Sequence, residues 1–164
     1  MDESDRAQAR YTGNPKISNK KTEGESSVKT VAVIDGQGGK LGAMVVEAIR
    51  AEKLSCRIHA IGTNSIATAA MLRAGADAGA TGENPVLVAC RTADVLVGPV
   101  GILAADALMG EITPAMAAAV GRSDAVKLLL PVNLCSIRVV GMPALSFAKL
   151  TAEAVTALRA VLDA

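Results

Sequence analysis

The sequence contains very few aromatic residues. It has no tryptophan, one tyrosine (Tyr11) and one phenylalanine (Phe147) in 164 residues, whereas proteins that bind single-stranded nucleic acids or RNA loops stack the bases on aromatic side chains. An excess of basic residues is also missing, because 17 lysines and arginines face 16 aspartates and glutamates. We therefore expect no nucleic-acid partner and no binding to anionic lipid.

Histidine and clustered cysteines are equally scarce. His59 is the single histidine, and Cys56, Cys90 and Cys135 are far apart, with no CxxC or CxxxH spacing. A structural zinc site needs four such ligands close together. We expect no metal site, and we interpret the three thiols as reduced core residues.

Long hydrophobic runs are absent as well. The longest apolar stretch, residues 95–109, contains Asp106 and falls short of the roughly 20 residues that span a bilayer. The first ten residues carry three acids and no apolar core, unlike a secretory signal. These features predict a cytoplasmic protein without membrane contact.

The chain is instead rich in aliphatic residues: 51% of it is hydrophobic, almost entirely through Ala, Val, Leu, Ile and Met. Its length suits one domain. Residues 1–28 lack apolar periodicity and mix five basic with five acidic residues, which predicts a disordered N-terminal tail. Residues 29–164 are predicted to form a single domain of the nucleotide-binding type.

From residue 29 onward, short β-branched runs alternate with amphipathic helical patterns, which is typical of βα units in a parallel sheet. We expect a three-layer, Rossmann-like α/β fold, with a mostly parallel sheet of five or six strands and helices on both faces. The strands are predicted at residues 30–34, 57–61, 77–80, 94–97 and 126–130, and residues 137–140 can form a sixth. Two helix boundaries have clear signals: the cluster 63–65 as a cap, and Thr113 with Pro114 as a cap and first turn.

Polar and glycine-rich segments follow the predicted strands. Because the carboxyl ends of parallel strands share one edge, where ligands of such folds bind, these segments together form a candidate site. Each segment alone is equally consistent with a tight turn that needs these residue types for its geometry. The segments are residues 35–39, 62–65, 81–84, 98–101 and 133–136.

The first segment extends into a glycine loop, residues 35–42 (DGQGGKLG). It joins a hydrophobic strand to an amphipathic helix, where glycines let backbone N–H groups approach a phosphate. Gly36 and Gly38 match the dinucleotide fingerprint GxGxxG, but Leu41 stands at the third glycine position and Gly42 comes one residue late. We interpret the loop as phosphate-cradling, with a plain strand-to-helix turn as the alternative.

The predicted binding residues belong to three segments: the glycine loop, the cluster after the second strand and the turn after the fourth. The acid that holds the ribose of NAD at the end of a second strand is absent, which disfavours NAD in particular. The sequence does not identify the ligand; the candidates are NAD(P), another nucleotide and a small phosphorylated metabolite. The predicted residues are Asp35, Gly36, Gln37, Gly38, Gly39, Gly42, Thr63, Asn64, Ser65, Gly98 and Gly101.

Two alternatives to simple ligand binding stay open. The protein is a small-molecule enzyme, an NAD(P)-dependent oxidoreductase or a sugar-phosphate enzyme, if Asp35, Glu83 or Glu111 transfers protons at the edge of the sheet. It is a regulatory module if it reports a metabolite to a partner. A sheet of this size with apolar helices on both faces often dimerises, so a homodimer is also expected.

Five motifs in order resemble DUF3842, a family of small bacterial proteins whose domain has no known function. They are IDGQGG, GTNSIAT, ATGEN, Gly98-Pro99 and GEITP, and the resemblance covers about residues 29–140. It implies a compact Rossmann-like fold and no established activity. The long N-terminal segment and Lys40, where the family tends to carry another glycine, depart from its pattern.

Overall fold

The computed structural model of the chain describes residues 28–132 and 136–164. The predicted tail, apart from Val28, lies outside these residues, as does Cys135. The described part contains five strands, five α-helices and one 3-10 turn. The strands are β1 (Thr30–Asp35), β2 (Arg57–Gly62), β3 (Ala78–Thr81), β4 (Val95–Pro99) and β5 (Val126–Leu130). The helices are α1 (Lys40–Ala51), α2 (Ser65–Arg73), α3 (Glu83–Thr92), α4 (Pro114–Arg122) and α5 (Phe147–Leu162), and the 3-10 turn is Val100–Leu103.

The five strands form one parallel sheet in the order β3-β2-β1-β4-β5. Val33 in the central strand lies opposite Ala60 of β2 and Val97 of β4. The chain builds the sheet outward from β1 through β2 to β3, then returns to the other side of β1 with β4. The order therefore reverses between β1 and β4, and the predicted Rossmann-like fold is confirmed.

Two cores cover the two faces of the sheet. Val31 and Val33 point to a core shared with α1, α2 and α5, whereas Ala32 and Ile34 point to a second core under α3 and α4. All four side chains are fully buried. Burial on both faces explains why β1 is a continuous apolar run instead of an alternating one.

Both predicted helix starts are confirmed in the structure. Asn64 caps α2, with its side-chain oxygen 2.9 Å from the N–H of Ala67 that donates to it. Thr113 caps α4 in the same way, at 3.1 Å from the N–H of Met116. Side-chain caps of this kind contribute about 1 kcal/mol each.

The prediction of a possible sixth strand at residues 137–140 is wrong. This segment is outside the sheet; Val139 and Val140 are exposed, and a turn follows at Gly141, whose φ is +85°. β-branched residues favour a strand only where a neighbouring strand and a buried face are available, and the segment has neither. In the described ranges, no helix is long and apolar enough to cross a membrane.

Candidate functional site

The glycine loop follows β1, at the edge of the sheet where the strand order reverses. Gly39 has φ +70°, a left-handed conformation, and its N–H donates to the carbonyl of Gly36 at 2.9 Å. A Cβ atom at Gly39 would lie 2.5 Å from the Cα of Ala67 in α2. This glycine is therefore required by the turn and by the close approach of α1 to α2.

Asp35 anchors the loop from inside the protein. Its side chain is buried, and its two oxygens accept hydrogen bonds from the N–H groups of Gly36 (2.8 Å) and Gly42 (2.7 Å). Burial raises the pKa of Asp35 above its ordinary value, although these two hydrogen bonds act in the opposite direction. The carboxylate occupies two N–H groups that sequence analysis assigned to a ligand.

Glu111 reaches the outer side of the same loop from the segment between β4 and α4. Its Oε2 accepts hydrogen bonds from the N–H of Gln37 (2.8 Å) and the amide of Asn64 (3.2 Å). The hydroxyl of Thr63 is a third donor to the same oxygen. Partial burial alone would raise the pKa of Glu111, but the hydrogen bonds from Thr63, Gln37 and Asn64 outweigh it and lower the pKa.

The segment that carries Glu111, residues 104–113, has an unusual backbone and is called the covering segment below. Leu108, Met109 and Gly110 have φ values of +55°, +58° and +89°, and left-handed conformations cost non-glycine residues about 1 to 2 kcal/mol each. Buried Leu108 and Ile112 hold the segment in place. A Cβ at Gly36 would lie 2.9 Å from Leu108 Cδ1, so the covering segment packs directly on the glycine loop.

Glu83, the third predicted proton-transfer candidate, is exposed at the first turn of α3. It accepts a hydrogen bond from the hydroxyl of Thr113, the cap of α4. The ATGEN and GEITP motifs therefore meet each other, while the GEITP motif also meets the first two motifs through Glu111.

Three backbone donors at the start of α1 remain available. In residues 28–132 and 136–164, the N–H groups of Gly38, Lys40 and Leu41 have no acceptor. Gly38 is exposed, and a Cβ there would meet nothing within 4 Å. Unpaired N–H groups at a helix start favour an anion.

A small cavity adjoins these donors. It measures about 80 Å³ and is lined by residues 35–41 together with Pro99, Leu108 and Phe147. The ammonium of Lys40 lies 5.9 Å from the centre of the Phe147 ring, within range of a cation–π interaction. The sequence pattern gives no sign of Leu108 and Phe147 at this site, because their place beside the loop depends on tertiary packing.

The other predicted binding residues have different surroundings. Gly98 lies buried against β1, where a Cβ would be 2.5 Å from the carbonyl oxygen of Ile34, and Gly101 is buried in the 3-10 turn. Thr63 and Asn64 use their side chains within the protein, whereas Ser65 is exposed. The part of the chain that the structure describes brings together no group of three or more metal-binding side chains.

Fold and site together define a Rossmann-like α/β protein with its glycine loop at the reversal of strand order. The chain belongs to the family described as a domain of unknown function, DUF3842, which matches it over residues 30–163. A search of curated proteins found no match.

Among solved structures, the chain is similar to the dodecameric FMN-dependent UbiX-like decarboxylase from Escherichia coli O157:H7. The identity is 19%, the similarity covers 82% of this chain and 76% of the decarboxylase chain, and the TM-score is 0.38. At these values the cofactor and the assembly of the decarboxylase say nothing about this chain.

Proposed function

We propose that the protein binds a nucleotide or another phosphorylated metabolite, with a phosphate at the start of α1. The observation that carries the proposal is the combination of three unpaired N–H groups, at Gly38, Lys40 and Leu41, with an adjoining cavity. The Lys40 ammonium adds a positive charge near Phe147, and both residues line this cavity. The position of the N–H groups, where the strand order reverses, is the usual ligand-binding place of this fold.

The size of the cavity supports a phosphate and argues against a deeply buried nucleoside. Pockets that enclose drug-sized ligands measure about 300 to 1,000 Å³, whereas this cavity measures about 80 Å³. The remainder of the ligand then lies outside the cavity, on the exposed edge of the sheet.

Proton transfer by the carboxylates at this edge has less support. Asp35 and Glu111 accept hydrogen bonds from the loop, and Glu83 accepts one from Thr113. A general base must accept a substrate proton. Both oxygens of Asp35 already have protein donors, and the donors to Oε2 of Glu111 lower its pKa, which makes it a weaker base. Ligand binding without proton transfer is therefore the function that the geometry supports best.

The decisive experiment measures the affinity of the full chain for pyrophosphate and nucleoside diphosphates by titration calorimetry. Gly38→Ala adds a methyl group to the outer face of the loop, where no protein atom lies within 4 Å and φ is not positive. We expect unchanged folding and at least about tenfold weaker binding, because the methyl excludes close contact with the phosphate.

Gly121→Ala is the matched control. Gly121 also has open space around its Cβ position and no positive φ, but it lies in α4. The control should bind like the wild type. The proposal is wrong if the wild type binds neither pyrophosphate nor any nucleotide at millimolar concentration, or if both variants bind equally well.

A further inference from the structure

The end of β2 lacks the acid that accepts the ribose hydroxyls in dinucleotide-binding folds. Thr63, Asn64 and Ser65 occupy these positions. The structure brings a carboxylate to the same place from another part of the chain, because Glu111 Oε2 accepts hydrogen bonds from the side chains of Thr63 and Asn64. Glu111 precedes α4 and would not be sought there from its position in the sequence.

One oxygen of Glu111 is free to bind a ligand. All three hydrogen bonds to this carboxylate that the described ranges contain go to Oε2. No buried side-chain oxygen or nitrogen in these ranges lacks a partner, so Oε1, which has none, is not buried. Three donors fix the carboxylate through one oxygen and leave the other as an oriented acceptor.

The negative charge of Glu111 suits the hydroxyl groups of a nucleoside, and exposed apolar side chains are close to the site in the sequence. The hydrogen bonds to Oε2 favour the charged form of the carboxylate and lower its pKa. Two exposed apolar residues are two positions away in the sequence: Ile66, 66% exposed, follows Asn64, and Met109, 95% exposed, precedes Glu111. In a protein with so few aromatic residues, aliphatic side chains are the available surface for a base.

We infer that Glu111 accepts a hydrogen bond from the ribose of a nucleotide whose phosphate lies at the start of α1. The ligand class is then a nucleotide with free 2′- and 3′-hydroxyls. A 2′-phosphate is rejected, since a second negative charge would face the carboxylate. This inference rests on the proposed function and adds to it the part of the ligand that gives specificity.

The test compares matched ligands on the full chain by titration calorimetry. The ligands are pyrophosphate, the adenine, guanine, cytosine and uracil ribonucleoside diphosphates, their 2′-deoxy counterparts, and adenosine 5′-diphosphate with an added 2′-phosphate. At least one base should show about tenfold tighter binding of the ribose form than of the deoxy form, because hydrogen bonds to a charged acceptor are strong. The 2′-phosphorylated form should bind about tenfold more weakly than its parent.

Glu111→Gln should reduce both ratios to within about threefold. Glu47→Gln removes an exposed carboxylate on the outer side of α1 and should keep the wild-type ratios. The ratios are measured on folded protein only, so a loss of stability in Glu111→Gln does not imitate the effect.

The possible failures are distinguishable. If pyrophosphate binds while all wild-type ratios stay near one, or if Glu111→Gln keeps the wild-type ratios, the role of Glu111 is refuted and phosphate binding stands. If nothing binds, the proposed function fails and the inference fails with it. If Glu111→Gln does not fold, the wild-type ratios alone decide whether the inference stands, and ratios near one refute it.

Discussion

At the scale of single residues, two carboxylates hold the glycine loop from opposite sides and differ in electrostatic character. Asp35 is buried beneath the loop, and burial raises its pKa. Glu111 is partly exposed above it, and its hydrogen bonds lower its pKa. The loop is therefore shaped by the protein's own acids, and only donors that these acids do not use remain for a ligand.

The lowered pKa of Glu111 predicts a pH-dependent contribution to stability. A carboxyl group with a lower pKa in the folded state stabilises the protein above its unfolded-state pKa of about 4.3, and this contribution disappears as the pH falls through the folded-state pKa. Glu111→Gln should therefore lower the free energy of unfolding at pH 7, and the deficit should shrink in acid. Urea unfolding at pH 7 and at several pH values below 5 measures it; a deficit that does not change with pH would contradict the account.

At the scale of structural elements, the glycine loop sets the distance between α1 and α2. Gly42 lies against α2 as well, since a Cβ there would be 2.5 Å from the sulfur of Met71. The pattern of glycines in this loop therefore has two causes. Gly39 and Gly42 permit helix packing, whereas Gly38 faces open space and is the glycine most available for a ligand.

Substitution of neighbouring glycines should separate these two causes. Gly39→Ala should destabilise the protein by about 2 kcal/mol or more, because of its left-handed backbone and because its Cβ would overlap the α2 backbone. Gly38→Ala should leave stability unchanged or slightly raise it. Urea unfolding of both variants measures the difference, and equal stability of the two would disprove this division of roles.

Local sequence signals predicted the elements better than they predicted the site. The cap cluster at residues 63–65 and the cap at Thr113 follow from residue type and spacing, so both helix starts were predicted correctly. The contact between Glu111 and the loop could not be found this way, because it depends on left-handed backbone at Leu108 and Met109, for which the local sequence has no signal. The strand prediction at residues 137–140 failed for the opposite reason. The local sequence favoured a strand, but no neighbouring strand was available to pair with it.

At the scale of the whole molecule, the strand order places the glycine loop next to the end of β4 and under the covering segment. The alternation of strands and helices in the sequence predicts a parallel sheet but not the order of its strands, because that order is decided by long-range packing. The expected homodimer and the expected cytoplasmic location stay predictions. Both outer strands, β3 and β5, are edges of the sheet in the described ranges.

Ligand binding should stabilise the whole domain. A ligand at 100 times its Kd adds about 2.7 kcal/mol to the free energy of unfolding, which for a domain of this size raises Tm by roughly 5 to 10 °C. Thermal unfolding with pyrophosphate and nucleotides measures this shift. Gly38→Ala should lose it, whereas Gly121→Ala should keep it, and an equal shift in both variants would place the ligand elsewhere.

The most direct test of phosphate binding at the start of α1 is an amide NMR titration of the ¹⁵N-labelled protein with pyrophosphate. The backbone N–H signals of Gly38, Lys40 and Leu41 should move first and furthest, because these groups are the unpaired donors. The signals of Gly36 and Gly42 should move less, since Asp35 already accepts their hydrogen bonds. Saturable shifts confined to other parts of the chain, or no shifts at millimolar pyrophosphate, would contradict the account.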